Sequence, residues 1–226
     1  MLPIQAPNQK LSQKMLYLKI CGITRLDQAI AIAQLPAVKG LGFVYVPGTP
    51  RYLNLAQINL ITSTIAAHNP GIDLVGLGVN LNLKQVIALV ESTQINSLQL
   101  HGQESPEFCG EVKAVMPQIR LIKAFRIRDR TDLAPILAYL PYVDQIILDA
   151  YDPKLAGGTG KTLNWSLLAD FRPSCPWLLA GGLTPTNVNQ AIALTQPDGI
   201  DLSSGVENQP GDKNLHQIHQ LIAALP

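Results

Sequence analysis

Several things are scarce in this chain of 226 residues, and each scarcity removes a class of function. There is no excess of basic charge: 17 Lys and Arg stand against 16 Asp and Glu, a formal net charge of +1. Binding to a nucleic-acid backbone needs clustered Lys and Arg, so a nucleic-acid partner is not expected. Cysteine is sparse and odd in number. Cys21, Cys109 and Cys175 form no CxxC and no metal-ligand spacing. No metal site is therefore expected, and the count fits a reducing compartment. No apolar run approaches the roughly 18 residues of a membrane span, so no membrane partner is expected. Residues 1–14 are polar, carry two prolines and lack the apolar region of a signal peptide. They read as a flexible arm, the domain proper as 15–226, and the compartment as the cytoplasm. No interdomain linker or low-complexity stretch occurs, and the ends fit a stand-alone chain.

What is present is a compact composition, 47% hydrophobic and 15% charged, long enough for one good core. Short apolar runs alternate with amphipathic stretches of helical length. The runs are 16–21, 38–46, 74–79, 97–100, 120–125, 143–148, 177–180 and 199–202. The stretches between and after them are 26–35, 55–68, 83–92, 106–116, 133–139, 165–171, 186–194 and 215–224. Regular strand–helix alternation implies a parallel sheet with helical crossovers. Eight such units favour closure into a (β/α)8 barrel, an α/β TIM barrel, over an open sheet. Thr184-Pro185 and Ser105-Pro106 stand where two helices should start.

In such a barrel the chemistry gathers at the C-terminal ends of the strands. The last two ends are the most telling. Ala180-Gly181-Gly182 and Ser203-Ser204-Gly205 follow buried runs and open onto bare-backbone turns. Adjacent N–H groups, with a helix start behind them, suit a phosphate. Strand one ends in Lys19-Ile20-Cys21, with Lys19 and Cys21 on one strand face. A lysine in a short apolar strand is functional or paired. Cys21 is either a nucleophile or base, or a small buried hydrophobe. Arg51, between Pro50 and the next helix, is a carboxylate fork or an ordinary surface arginine. His101 shares a face with Gln99 and is an acid/base, a hydrogen-bond donor or a structural histidine. Asp149 follows Ile146-Ile147-Leu148; it is a general acid whose burial raises its pKa, or a brace for the following loop.

That loop carries Gly157-Gly158-Thr159-Gly160-Lys161-Thr162. A nucleotide P-loop requires glycine five residues before Gly160, where Leu155 stands, so ATP or GTP binding is rejected. A glycine-rich lid or a substrate contact at Gly158 is the better reading.

Taken in order, Lys19-Ile20-Cys21-Gly22-Ile23-Thr24, Gln99-Leu100-His101-Gly102, Leu148-Asp149-Ala150, Gly157 to Thr162, Ala180-Gly181-Gly182-Leu183 and Ser203-Ser204-Gly205-Val206-Glu207 resemble the motif series of the phosphoribosylanthranilate isomerases of tryptophan synthesis. The chain departs from that series at Leu163-Asn164-Trp165, where Phe-Asp-Trp is common, at Thr49 for serine, and at Asn214 for aspartate. These changes are expected to weaken caps more than chemistry.

The resemblance implies an Amadori rearrangement of a phosphoribosyl anthranilate substrate, with no cofactor. It implies Asp149 as general acid toward the ribose ring oxygen and Cys21 as general base at C2′. Lys19 would lower the Cys21 pKa. It further implies Arg51 on the anthranilate carboxylate and the backbone at Gly181, Gly182, Ser203, Ser204 and Gly205 on the phosphate. His101 would be a neighbour of the site. The aminoimidazole ribotide isomerase of histidine synthesis is a rival on the same barrel. That family uses aspartates at strands one and five, whereas Cys21, Lys123 and Arg126 stand here. A silent phosphosugar-binding barrel is disfavoured because Cys21 and Asp149 are both present. The oligomeric state is left open between monomer and homodimer.

Overall fold

A computed structural model describes residues 16–150 and 164–226. The arm expected over 1–14 and the glycine-rich loop with Gly158 lie outside those residues. Eight parallel strands run around a closed barrel in chain order: β1 (Tyr17–Cys21), β2 (Val38–Val44), β3 (Asp73–Gly78), β4 (Ser97–Leu100), β5 (Arg120–Ile127), β6 (Gln145–Ala150), β7 (Trp177–Leu179) and β8 (Gly199–Leu202). β1 pairs with β8 as well as β2, with Ile20 opposite Leu202, so the barrel itself has no free edge.

Side chains alternate between the two faces of each strand. Leu18, Ile20, Leu41, Phe43, Leu98 and Leu148 face outward and join the large core under the helices. Val75, Ile122, Ala124, Ile147, Leu178 and Ala180 form a smaller cluster inside the barrel. The buried set also includes the polar residues Lys19, Gln99 and Asp201. Buried polar groups are costly without partners, so this interior is where function is to be sought.

The outer layer contains α1 (Leu26–Ala33), α2 (Leu55–His68), α3 (Leu83–Glu91), α4 (Pro106–Val115), α5 (Val188–Thr195) and α6 (Leu215–Ala224). Asn54 and Asn82 cap α2 and α3 with reciprocal capping boxes. Ser105 caps α4 with Pro106 in its first turn, as the sequence suggests. The start expected at Thr184-Pro185 is displaced. Asn187 takes the N-cap position of α5 without a side-chain cap bond, and its Oδ1 accepts the Thr184 N–H instead.

Two of the expected helical crossovers take the 3₁₀ form. Arg130–Ala138 is a 3₁₀ helix with Pro135 inside it, and Trp165–Leu168 is a 3₁₀ helix of four residues. Proline removes a backbone donor and clashes with the carbonyl four residues back, which disfavours the α form there. Asn164 and Asn214 do not weaken their caps. Each side chain accepts a backbone N–H, from Ser166 and Gln217 respectively, as aspartate would.

One element was not expected. β9 (Glu207–Gln209) and β10 (Asp212–Lys213) form a small antiparallel hairpin just after β8. Its turn, Pro210-Gly211, is a turn signal in the sequence, and Gly211 has φ 84°.

Candidate active site

Because all eight strands are parallel, their C-terminal ends meet at one end of the barrel. A cavity of about 220 Å³ opens there. Its walls include Cys21, Arg51, His101, Asp149, Gly181, Gly182, Ser203, Ser204 and Gly205. The sequence-predicted site residues among those described are therefore brought together.

Cys21 ends β1 and is buried. Lys19, two residues back on the same face, is wholly buried, and its ammonium donates to both oxygens of Asp201 on β8, at 2.9 and 3.0 Å. Room for this group comes from β2. A Cβ at Gly42 would lie 2.7 Å from Cys21 Sγ and 3.1 Å from Lys19 Nζ. Lys19 pulls the Cys21 thiol down, as expected, but does not leave it depressed. Burial pushes the thiol up, and although Lys19 and Lys213 pull it down, Asp201 adds to the rise and the net shift is upward.

His101 lies at the end of β4. Gln99 Nε2 is 3.0 Å from His101 Nδ1. With the amide nitrogen donating, Nδ1 accepts and the ring proton sits on Nε2. That nitrogen faces Asp149 Oδ2 at 3.5 Å, too far for a good hydrogen bond. Gln99 Oε1 and His101 Nε2 are buried with no hydrogen-bond partner among the described residues. Asp149, on β6, is also buried.

Arg51 is not the surface arginine of the alternative reading. Its Nε and Nη2 donate to the two carboxylate oxygens of Glu207, at 3.0 and 2.6 Å. Lys213 Nζ donates to the same carboxylate at 2.6 Å. Burial pushes the Glu207 carboxyl up, but Arg51 and Lys213 together outweigh it and hold it below the usual value. Reading the strand ends alone does not single out Lys213, nor Glu207 beyond its place at the end of the Ser203–Glu207 motif. The Pro210-Gly211 turn, which folds one back on the other, was the available signal.

The turn after β7 carries Gly181 at φ 87° and Gly182 at φ 65°, a region that favours glycine. A Cβ on Gly181 would stand 2.5 Å from the Ala150 nitrogen and 2.9 Å from Asp149 Oδ1. Among the described residues, no backbone carbonyl takes the N–H of either glycine. Asn187 Nδ2 donates to the Gly182 carbonyl at 2.9 Å and fixes the turn. After β8, Gly205 packs so closely on the Leu183 carbonyl that no side chain fits. The two turns thus abut and present bare backbone to the cavity, a surface suited to an anion.

The cavity thus brings together backbone donors of two bare turns, an arginine fork, a thiol and a carboxyl. This set can hold a substrate carrying two anionic groups and move protons on it. Among the described residues, no group of three His, Cys, Asp or Glu could hold a metal ion, and no helix is long and apolar enough to cross a membrane.

Comparison with known proteins agrees with this arrangement. The family model described as N-(5′-phosphoribosyl)anthranilate (PRA) isomerase matches residues 18–224. An N-(5′-phosphoribosyl)anthranilate isomerase of Rippkaea orientalis is 49% identical over 208 residues, covering 92% of this chain and 95% of the relative. The phosphoribosyl anthranilate isomerase of Thermotoga maritima superposes with a TM-score of 0.83 at 33% identity, over 93% of this chain and 98% of that one. A solved isomerase in complex with reduced 1-(o-carboxyphenylamino)-1-deoxyribulose 5-phosphate superposes with a TM-score of 0.79 at 31% identity, over the same shares. With the barrel, the cavity and nearly the whole sequence in agreement, the chain belongs to the N-(5′-phosphoribosyl)anthranilate isomerase family.

Proposed function

We propose that this chain converts N-(5′-phosphoribosyl)anthranilate into 1-(o-carboxyphenylamino)-1-deoxyribulose 5-phosphate in tryptophan biosynthesis, with Asp149 as general acid and Cys21 as general base. The observation that carries it is the convergence of Cys21, Asp149, Arg51 and the two bare turns on one cavity. The phosphate rests on the backbone at Gly181, Gly182, Ser203, Ser204 and Gly205. The carboxylate meets the edge of Arg51 that Glu207 leaves open. With both ends held, the ribose lies between the thiol and the carboxyl.

Asp149 gives its proton to the ring oxygen as the C1′–O bond breaks and the anilino nitrogen forms an iminium. Cys21 then removes the C2′ proton, which the iminium has made acidic, acting in the fraction of molecules in which Lys19 and Lys213 hold it as thiolate against its burial. The electron pair moves to give an enolamine, and this tautomerises to the aminoketose. Atoms and electrons balance within the substrate, as an aldose-to-ketose isomerisation requires. His101, with its proton on Nε2, faces the acid and is a neighbour that can donate to Asp149 or to a ribose oxygen.

The test is a fluorescence assay with freshly made phosphoribosylanthranilate on wild type, Cys21→Ser and Asp149→Asn. General acid–base groups contribute about 10²–10⁴-fold each, so both variants should lose at least that much in kcat while staying folded. No turnover by folded wild type would overturn the function. Turnover surviving both substitutions would keep the function and overturn the mechanism.

A further inference from the structure

The hairpin after β8 lies outside the barrel sheet and gathers charged side chains beside Arg51. Lys213 pairs with Glu207 across it, which sets the ammonium against the carboxylate. The Glu207 carboxylate also accepts the Gly211 N–H at 3.2 Å and the two donors of Arg51. The side chains are 2% exposed at Glu207, 0% at Lys213 and 13% at Arg51. The Arg51 stem crosses Gly22, where an added Cβ would lie 2.5 Å from Arg51 Cδ. Lys213 Nζ also reaches the carbonyl and hydroxyl of Ser203, at 3.4 and 3.5 Å. The arginine is thus a fixed fork whose two donors Nε and Nη2 are engaged, leaving Nη1 and the second hydrogen of Nη2.

The charges decide what that open edge accepts. Arg51 and Glu207 alone would cancel. Burial pushes the Lys213 ammonium down, but the Glu207 carboxylate 2.6 Å away opposes that shift, and as ammonium Lys213 gives the buried cluster a net positive charge, which favours an anion at the open edge and disfavours a neutral group. We infer that Glu207 and Lys213 are positioning residues that fix the aim and the net charge of Arg51, and thereby set selectivity for a carboxylate on the substrate ring. This rests on the reading that Arg51 takes the substrate carboxylate.

The experiment compares two competitive inhibitors: reduced 1-(o-carboxyphenylamino)-1-deoxyribulose 5-phosphate and its phenylamino counterpart lacking the carboxyl. Wild type should prefer the first by on the order of 100-fold, as a charge-assisted two-bond contact gives. Arg51→Met should bring the preference close to one. Glu207→Gln and Lys213→Met should each cut it about tenfold and raise KM; kcat should change by no more than about threefold in Glu207→Gln, while Lys213→Met, which also removes a cation that opposes the rise of the Cys21 thiol, is read on the inhibitor preference alone. Circular dichroism establishes folding, and Lys213→Met alone carries the test if Glu207→Gln does not fold. A wild-type preference in the folded variants, with the preference lost in Arg51→Met, overturns the inference and leaves the role of Arg51 standing. A preference that survives Arg51→Met removes the reading of Arg51 and the inference with it.

Discussion

Lys19 and Asp201 form a buried ion pair directly beneath the proposed base. Removing one member leaves an uncompensated buried charge, which costs about 3–5 kcal/mol, whereas replacing both with apolar groups is often far milder. Lys19→Met should therefore unfold in urea at markedly lower concentration than wild type, and Lys19→Met/Asp201→Leu should recover part of the loss. Equal losses in the single and the double variant would mean that the pair itself is not what stabilises this part of β1. The Cys21 thiol offers a second handle. Burial pushes it up, and Lys213 is one of the two cations that oppose the rise. Its alkylation by iodoacetamide, followed by mass spectrometry of the labelled peptide, should have a pH midpoint above the ~8.5 of an unstructured cysteine. Lys213→Met should move that midpoint higher still. A lower midpoint in the variant would show that Lys213 does not act on the thiol. Lys19 could be read from the sequence as paired or functional, because a charge in a four-residue apolar context needs an explanation. Its partner could not, since Asp201 lies on the far side of the chain and meets β1 only when the barrel closes.

At the scale of the element, periodicity decides most of the fold. β4, β8, α2 and α6 fall on the expected residues, because each has a clear apolar period bounded by a cap or turn residue. Amphipathic spacing over a few residues predicts a helix at both crossovers but does not distinguish the α from the 3₁₀ form. Pro135 was the discriminating residue. This crossover is held at its start by side chains. Asp129 Oδ1 accepts the Thr131 N–H at 2.8 Å, and Asp132 accepts the Arg128 N–H at 2.8 Å and its guanidinium at 2.9 Å. Asp129→Ala removes a cap of the kind that contributes about 1 kcal/mol. The Arg128 guanidinium beside Asp132 pulls its carboxyl down to about 2. A depressed folded pKa gives stability that is fully present above the ordinary aspartate value near 3.9 and is lost as pH falls through about 2. Wild type should thus lose stability between about pH 4 and pH 2 more steeply than Asp132→Asn, in denaturant titrations at each pH. Parallel curves would remove this carboxylate from the acid response. The β9–β10 hairpin was missed for a different reason. Two strands of three and two residues carry no readable period, and only their turn is written in the sequence.

The whole molecule keeps its two ends for different purposes. At the catalytic end, Glu104 accepts the Asn80 and Gly102 N–H groups at 2.7 and 2.9 Å and meets Lys123 Nζ at 3.1 Å. This ties the loops after β3 and β4 to β5 and braces the turn that carries His101. At the opposite end, Tyr17 Oη donates to Asp73 at 2.6 Å, and Arg120 donates to the same carboxylate at 2.6 Å with its guanidinium 5.5 Å from the Tyr17 ring centre. This knot joins β1, β3 and β5 well below the cavity, so it should bear on stability and not on turnover. Tyr17→Phe keeps the ring and removes one bond to a charged acceptor, a loss of about 1.5–3 kcal/mol. For a chain of this length each kcal/mol lowers Tm by about 2–4 °C, so the drop should be readily measured, with kcat/KM unchanged. The pH dependence gives an independent check. Burial and Asp73 push the Tyr17 hydroxyl well above its ordinary value. The raised folded pKa gives stability that is present below the unfolded value of about 10 and is lost as pH rises beyond it, because the unfolded chain ionises first. The gap in stability between wild type and Tyr17→Phe should therefore be widest below pH 10 and narrow above it. A variant that loses turnover at unchanged Tm would contradict the separation of the two ends, and a gap that widens with pH would contradict the buried, neutral tyrosine on which the argument depends.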